Sequence, residues 1–136
     1  MDRAAQRALE RLQSMPVAAF FDFQFGERDD ERATVSAPTA DRFLQVEDVV
    51  HGGVLSTLAD TAAVYLILPT LTDGHAMTSI EFKLNFLRPA RAGLGDVEAV
   101  ATMVKRGRTV AVSSVDVSQG GELCATGLFT YLIWKP

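Results

Sequence analysis

The sequence predicts an α+β domain in which one antiparallel sheet of five to six strands packs on a single long helix. Three observations carry that reading. Residues 53–68 are apolar on nearly every side and end at Pro69, the pattern of a buried helix. Residues 78–134 break into four runs of strand character joined by short glycine links. The chain has 136 residues, 48% hydrophobic and 22% charged, which fits one domain with a sizeable core.

Element by element, Asp2–Ser14 has Ala5, Leu9 and Leu12 at helical spacing, with Pro16 closing the segment. Ala18–Phe25 is aromatic and β-prone, Glu27–Arg32 is charged, and Ala33–Ala37 is β-prone again, so the spacing predicts a hairpin or an edge pair. The four phenylalanines Phe20, Phe21, Phe23 and Phe25 are read as core and sheet packing. Pro38–Asp48 shows no period and leads into His51-Gly52-Gly53, a tight turn into the long helix. Thr78–Arg88 alternates Ile80, Phe82, Leu84 and Phe86 with Ser79, Glu81, Lys83 and Asn85, the period of a strand with one buried side. Asp96–Lys105, Arg108–Ser118 and Glu122–Trp134 follow, linked by Arg106-Gly107 and Gly120-Gly121. The expectation is a four-strand meander, and residues 1–136 are read as a single domain with the N-terminal helix in residues 1–15.

Composition excludes several functions. A formal net charge of -4 provides no general attraction to phosphate backbones or anionic lipid, so neither nucleic acid nor a membrane is an expected partner. Val54–Leu71 is apolar enough to resemble a membrane span, but Asp60 sits near its middle, where a carboxylate costs about 2.5–3.5 kcal/mol to insert. The N-terminal residues lack the continuous apolar run of a signal peptide. One cysteine, Cys124, and two histidines make neither an internal disulfide nor a cysteine-spaced zinc site, so a reducing, cytoplasmic setting without a metal is expected.

Two positions have the residue types that chemistry needs. Gly52 and Gly53 offer backbone N–H groups at the positive end of a helix, suited to an anion or a developing oxyanion; the same pair also simply makes a turn, with His51 as a polar cap. Asp60 is a lone carboxylate in an apolar helix, on a stripe with Ser56, Thr57 and Thr61. It is either a general base or nucleophile, or a side chain facing solvent or capping a neighbour. Gly52 and Asp60 are eight residues apart, about 12 Å along a helix, too far for both to touch one carbon. Acting together requires two chains, as in a two-fold dimer with antiparallel helices.

His51-Gly52-Gly53, Leu58-Ala59-Asp60-Thr61-Ala62, Phe86-Leu87-Arg88-Pro89-Ala90 and Lys105-Arg106-Gly107-Arg108 together resemble the hotdog-fold acyl-CoA thioesterases of the phenylacetate-degradation (PaaI-like) type. The resemblance spans about residues 40–135, and its specific part is the HGG motif with an acid nine residues after the histidine. It implies a sheet wrapped around one central helix and hydrolysis of an acyl-CoA thioester without a cofactor. It also implies Asp60 as the catalytic carboxylate, Gly52 as the amide that polarises the carbonyl, and His51 as an orienting side chain. Gln45 stands where PaaI-like members usually have asparagine; the hydroxybenzoyl-CoA thioesterase branch has glutamine there, which implies a contact to the water or the leaving sulfur. Ser79 matches a serine or threonine near the acid.

Coenzyme A carries phosphates, and an acidic protein that binds it should concentrate cations locally. Gly53, Arg88, Pro89, Lys105, Arg106 and Arg108 are the candidate substrate contacts, with Arg91 beside them; as turn residues the cations are equally read as solvated. The resemblance implies a homodimer with shared sites, assembled as a dimer of dimers, hence a homotetramer. Aryl- or arylacetyl-CoA and short or medium aliphatic acyl-CoA all remain open as substrates. Two other functions stand beside hydrolysis: a hotdog hydratase or dehydratase, and a non-catalytic acyl-CoA-binding module.

Overall fold

The computed structural model describes residues 1–136. Helix α1 (Arg3–Gln13) begins at Asp2, whose carboxylate accepts the Ala5 N–H at 2.8 Å and so satisfies one of the free amides of the first turn. Its buried face, Ala5, Leu9 and Leu12, lies on the 3-10 turn Leu68–Thr70. Pro16 does not lead into a strand. It occupies the first turn of a second helix, α2 (Pro16–Phe20), where its missing N–H costs nothing. The β-prone reading of residues 18–25 is therefore corrected: β1 covers only Gln24–Arg28. Phe21 stacks on Phe23 with centroids 5.4 Å apart and leans on Phe43, but Phe20 is exposed rather than in the core.

Strand β2 (Arg32–Ala37) pairs with β1, and α3 (Gly52–Ile67) follows after an irregular segment. Strands β3 (Ala76–Phe86), β4 (Val97–Arg106), β5 (Val110–Gln119) and β6 (Glu122–Trp134) complete a six-stranded antiparallel sheet of order β1-β2-β4-β5-β6-β3. The α+β class and the wrapped sheet are as expected, and β4-β5-β6 form a meander, but β3 does not join it in sequence order. β3 pairs with β6 at one edge, and β4 joins β2 on the far side of β5. The connection 87–96 makes that crossing because the chain pins it. Val50 N–H donates to Ala90 O at 2.8 Å, and the buried Gln119 side chain accepts from Arg91 N–H and donates to the Arg91 and Gly95 carbonyls.

Helix α3 packs on β2, β4 and β5, where Ala33, Ala99, Ala101 and Ala111 are fully buried. Small side chains on the sheet leave room for Leu58, Leu66 and Ile67 of the helix, each fully buried and contributing about 1.5–3 kcal/mol. Gly52–Thr70 is long and apolar enough to cross a membrane by composition, yet here it packs against the sheet. No basic residue lies in its last turn. Instead Arg28 of β1 supplies the cation: Nε donates to Tyr65 O at 2.7 Å and Nη2 to Leu66 O at 2.8 Å.

Strand β3 departs from its sequence reading in two ways. A bulge between Ser79 and Glu81 turns Ser79 onto the same side as Phe82, Leu84 and Phe86. That side also stays largely uncovered, since the helix does not extend over the edge strand; Phe82 and Phe86 are about half exposed, at 49% and 54%.

Candidate active site

The N-terminus of α3 is built by His51. Its Nδ1 accepts the Gly53 N–H at 2.8 Å, and its carbonyl accepts from the Val54 and Leu55 amides. An Nδ1 that accepts carries no proton, so neutral His51 has its proton on Nε2. A side chain on Gly53 would place its Cβ 3.0 Å from Nδ1, which explains the second glycine. The Gly52 N–H is left with no acceptor in the chain, the one free donor of this helix end. Gly52 lines a cleft of about 420 Å³ with Gln45, Phe86, Leu87, Arg88 and Pro89. The Phe86 ring closes on it so tightly that a Cβ at 52 would stand 3.2 Å from the ring.

Gln45 reaches this cleft through a strained approach. Its N–H donates to Val49 O at 2.7 Å across a loop in which Glu47 and Asp48 both hold φ near +60°. Arg91 Nη1 donates to the Glu47 carbonyl and Ala92 N–H to that of Asp48, so the 87–96 crossing fixes the loop. Arg88 pairs with Glu122 at 2.8 Å; both side chains are exposed, and such a pair contributes about 0–1 kcal/mol. Its guanidinium can therefore be recruited by a ligand.

Asp60 lies two helical turns further on and does not line the cleft. It does not point freely to solvent but accepts from a neighbouring side chain, the capping role that the sequence left open beside the chemical one. The Tyr131 hydroxyl donates to its Oδ1 at 2.5 Å, and no cation pairs with it. The β3–β6 register puts Ser79 directly opposite Tyr131. Tyr131 is the residue that sequence reasoning missed. The signal was a phenol on the inward phase of β6, after Ala125, Gly127 and Phe129: a buried hydroxyl needs an acceptor, and Asp60 is the lone carboxylate of the facing helix.

The sequence-predicted residues thus fall into three groups within one chain. His51, Gly52, Gly53, Gln45, Arg88 and Pro89 gather at the start of α3; Asp60 and Ser79 lie along its middle; Lys105, Arg106 and Arg108 lie by its end. Arg106 is structural in part, since Nε donates to Thr70 Oγ1 at 2.8 Å and Nη2 to Thr70 O at 3.1 Å. The helix has 16 residues, about 24 Å, so in one chain the hairpin cations and the Gly52–Arg88 cleft lie at opposite ends of α3.

Burial, then the Asp60 charge and the hydrogen bond to it, push the Tyr131 phenol well above the usual tyrosine range. Burial also raises Tyr65 and the Cys124 thiol. In the unfolded chain these groups lose protons near their ordinary values of 9.0 and 10.0, while the folded chain keeps them. The unfolded state then binds fewer protons, so stability falls as pH rises past about 9. A thermal midpoint followed from pH 8 to 11 should decline above about 9, and Tyr131→Phe should make the decline shallower. A midpoint flat over that range would contradict the assignment.

Comparison with known proteins agrees with the geometry. The sequence profile of the Thioesterase superfamily matches residues 47–125. Human acyl-coenzyme A thioesterase 13 is 32% identical over 83 residues, which cover 60% of this chain and 58% of the human protein. The crystal structure of a thioesterase family protein from Silicibacter pomeroyi superposes with a TM-score of 0.87 at 26% identity, covering 98% of this chain and 99% of that one. The PaaI protein of the Escherichia coli phenylacetic acid degradation operon shares the fold at 22% identity, with a TM-score of 0.84 and coverage of 95% and 92%. A wrapped sheet, a central helix that opens on Gly52-Gly53 behind a His51 cap, and a match over more than half the chain place this protein in the thioesterase superfamily.

Proposed function

We propose that this thioesterase hydrolyses an acyl-CoA to the free acid and coenzyme A, with each site built from two chains. The observation that carries the reading is the separation of a free amide, Gly52 N–H, from a carboxylate held on the side of β6 and β3. β3 is an unpaired sheet edge with Phe82 and Phe86 exposed beside it. Two-fold pairing through that edge covers both rings and brings Asp60 of one chain toward Gly52 of the other. Exposed Val110, Leu128, Leu132 and Trp134 on the opposite face of the sheet support packing of two such dimers.

In the reaction, Gly52 N–H and the helix dipole stabilise charge on the carbonyl oxygen. Asp60 takes a proton from the attacking water, the tetrahedral intermediate collapses, and the carbon–sulfur bond breaks to release the thiolate. The alternative course has the Asp60 carboxylate attack the carbonyl first, breaking the carbon–sulfur bond to expel the coenzyme A thiolate and leave a mixed anhydride, which water then opens to the free acid and Asp60. Gln45 and His51 border the cleft at the sulfur or water, and Arg88 with the partner's Lys105, Arg106 and Arg108 faces the phosphates. Neither course uses a metal or redox cofactor. An unpaired, buried Cys124 supports a reducing, cytoplasmic compartment.

The test is a panel of aryl-, arylacetyl- and alkyl-CoA thioesters with a thiol reagent. The reading expects thiol release on at least one substrate from a protein that sediments as a dimer or tetramer. A change in enoyl absorbance without thiol would point to hydration, and tight binding without turnover to a binding module.

A further inference from the structure

The Asp60 carboxylate has one hydrogen-bond partner in the chain, the Tyr131 hydroxyl at 2.5 Å from Oδ1. Tyr131 is 1% exposed and lies in β6, whose strand position is fixed by pairing with β5 and β3. The same hydroxyl lies 3.4 Å from the Asp60 carbonyl oxygen. Oδ2 accepts from no group of the chain. An aspartate on a half-exposed helix stripe would otherwise rotate about its side-chain bonds; a charge-assisted bond from an immobile ring selects one orientation. Because its acidity is suppressed, the phenol stays a donor throughout the neutral range.

Resting on the reading of Asp60 as base or nucleophile, we propose that Tyr131 is its positioning residue: the phenol anchors Oδ1 and presents Oδ2 to the water or the thioester carbon. Tyr131 does not touch substrate. It acts on the rate of the chemical step through Asp60, with Ser79 on the neighbouring strand opposite it. Misplacing a reacting group by about 1 Å costs on the order of 10²-fold.

The experiment compares Tyr131→Phe, Asp60→Asn and the double variant on the best thioester of the panel. Phenylalanine keeps the ring and its packing and removes one oxygen. The expected result is a kcat lower by about 10–100-fold with KM within about twofold, and a double variant no slower than Asp60→Asn alone. Wild-type kcat in Tyr131→Phe, with Asp60→Asn inactive, overturns the positioning role and leaves the catalytic reading standing. Wild-type kcat in Asp60→Asn overturns both. A loss in Tyr131→Phe that appears in KM alone, or that adds fully to the Asp60→Asn loss, makes Tyr131 structural and also overturns the proposal. A second measurement stands even where Tyr131→Phe folds poorly: the Tyr131 hydroxyl proton should give a slowly exchanging, downfield resonance that changes in Asp60→Asn. Its absence from the wild-type spectrum removes the anchoring bond and the proposal with it.

Discussion

Asp60→Asn is expected to lower kcat on the best thioester by about 10²–10⁴-fold while the protein still folds and assembles. Asparagine has the same shape as aspartate, and its carbonyl oxygen can still accept the Tyr131 hydroxyl that Asp60 Oδ1 accepts at 2.5 Å. What it lacks is a lone pair basic enough to take a proton from water or to attack a carbonyl. The change therefore separates chemistry from architecture. A bond to a neutral acceptor is worth about 1 kcal/mol less than one to a carboxylate, so the thermal midpoint should move by only a few degrees. Ground-state binding should persist as well, since asparagine keeps the shape of aspartate and the cleft residues beside Gly52 are unchanged. The check is single-turnover and steady-state thiol release beside calorimetry of the same samples. Undiminished turnover would show that the carboxylate is not the reacting group.

The long helix and the strand runs were legible because each follows from local period and punctuation. β6 runs Glu122–Trp134 as expected, and Gly120 and Gly121 both take positive φ in the hairpin before it. The sequence also revealed the separation between Gly52 and Asp60, since helical rise alone fixes it. Strand order was not legible in the same way. Nothing in the alternation of residues 78–88 says whether the strand pairs with the next one or with the last, and that choice rests on non-local bonds such as those of Gln119. The bulge that turns Ser79 toward Tyr131 inverts a face that simple alternation assigns to the other side. The cations Arg88 and Arg106, both near glycine or proline, looked like one group; their partners Glu122 and Thr70 lie at opposite ends of α3. The missed phenol belongs to the same class, because a hydrogen bond between residues 131 and 60 has no signature in either local window.

The largest loss of stability from a single methyl group is expected at Gly127. In β6 this residue stands opposite Leu84 of β3, and a Cβ built on it would lie 1.9 Å from the Lys83 carbonyl oxygen. Its φ is not positive, so the backbone itself would accept alanine; the obstacle is the neighbouring strand. Contacts with backbone cannot be relieved by turning a side chain, so β3 must move away or the ladder must open. Overpacking of this kind costs about 3 kcal/mol or more, on the order of 10 °C in the thermal midpoint of Gly127→Ala. Gly93→Ala is the informative contrast: it has φ +81° but open space around it, so it pays only for backbone strain, about 1–2 kcal/mol. Comparable midpoints for the two variants would show that the close approach of β3 to β6 is not what requires glycine at 127. The consequence reaches the site, because β3 carries Ser79 and the exposed rings Phe82 and Phe86, and β6 carries Tyr131. Displacing β3 disturbs both the edge through which a second chain completes the site and the strand that fixes the phenol. Gly127→Ala should therefore lower turnover and shift sedimentation toward the single chain together, a coupling that Asp60→Asn, which leaves the edge intact, should not show.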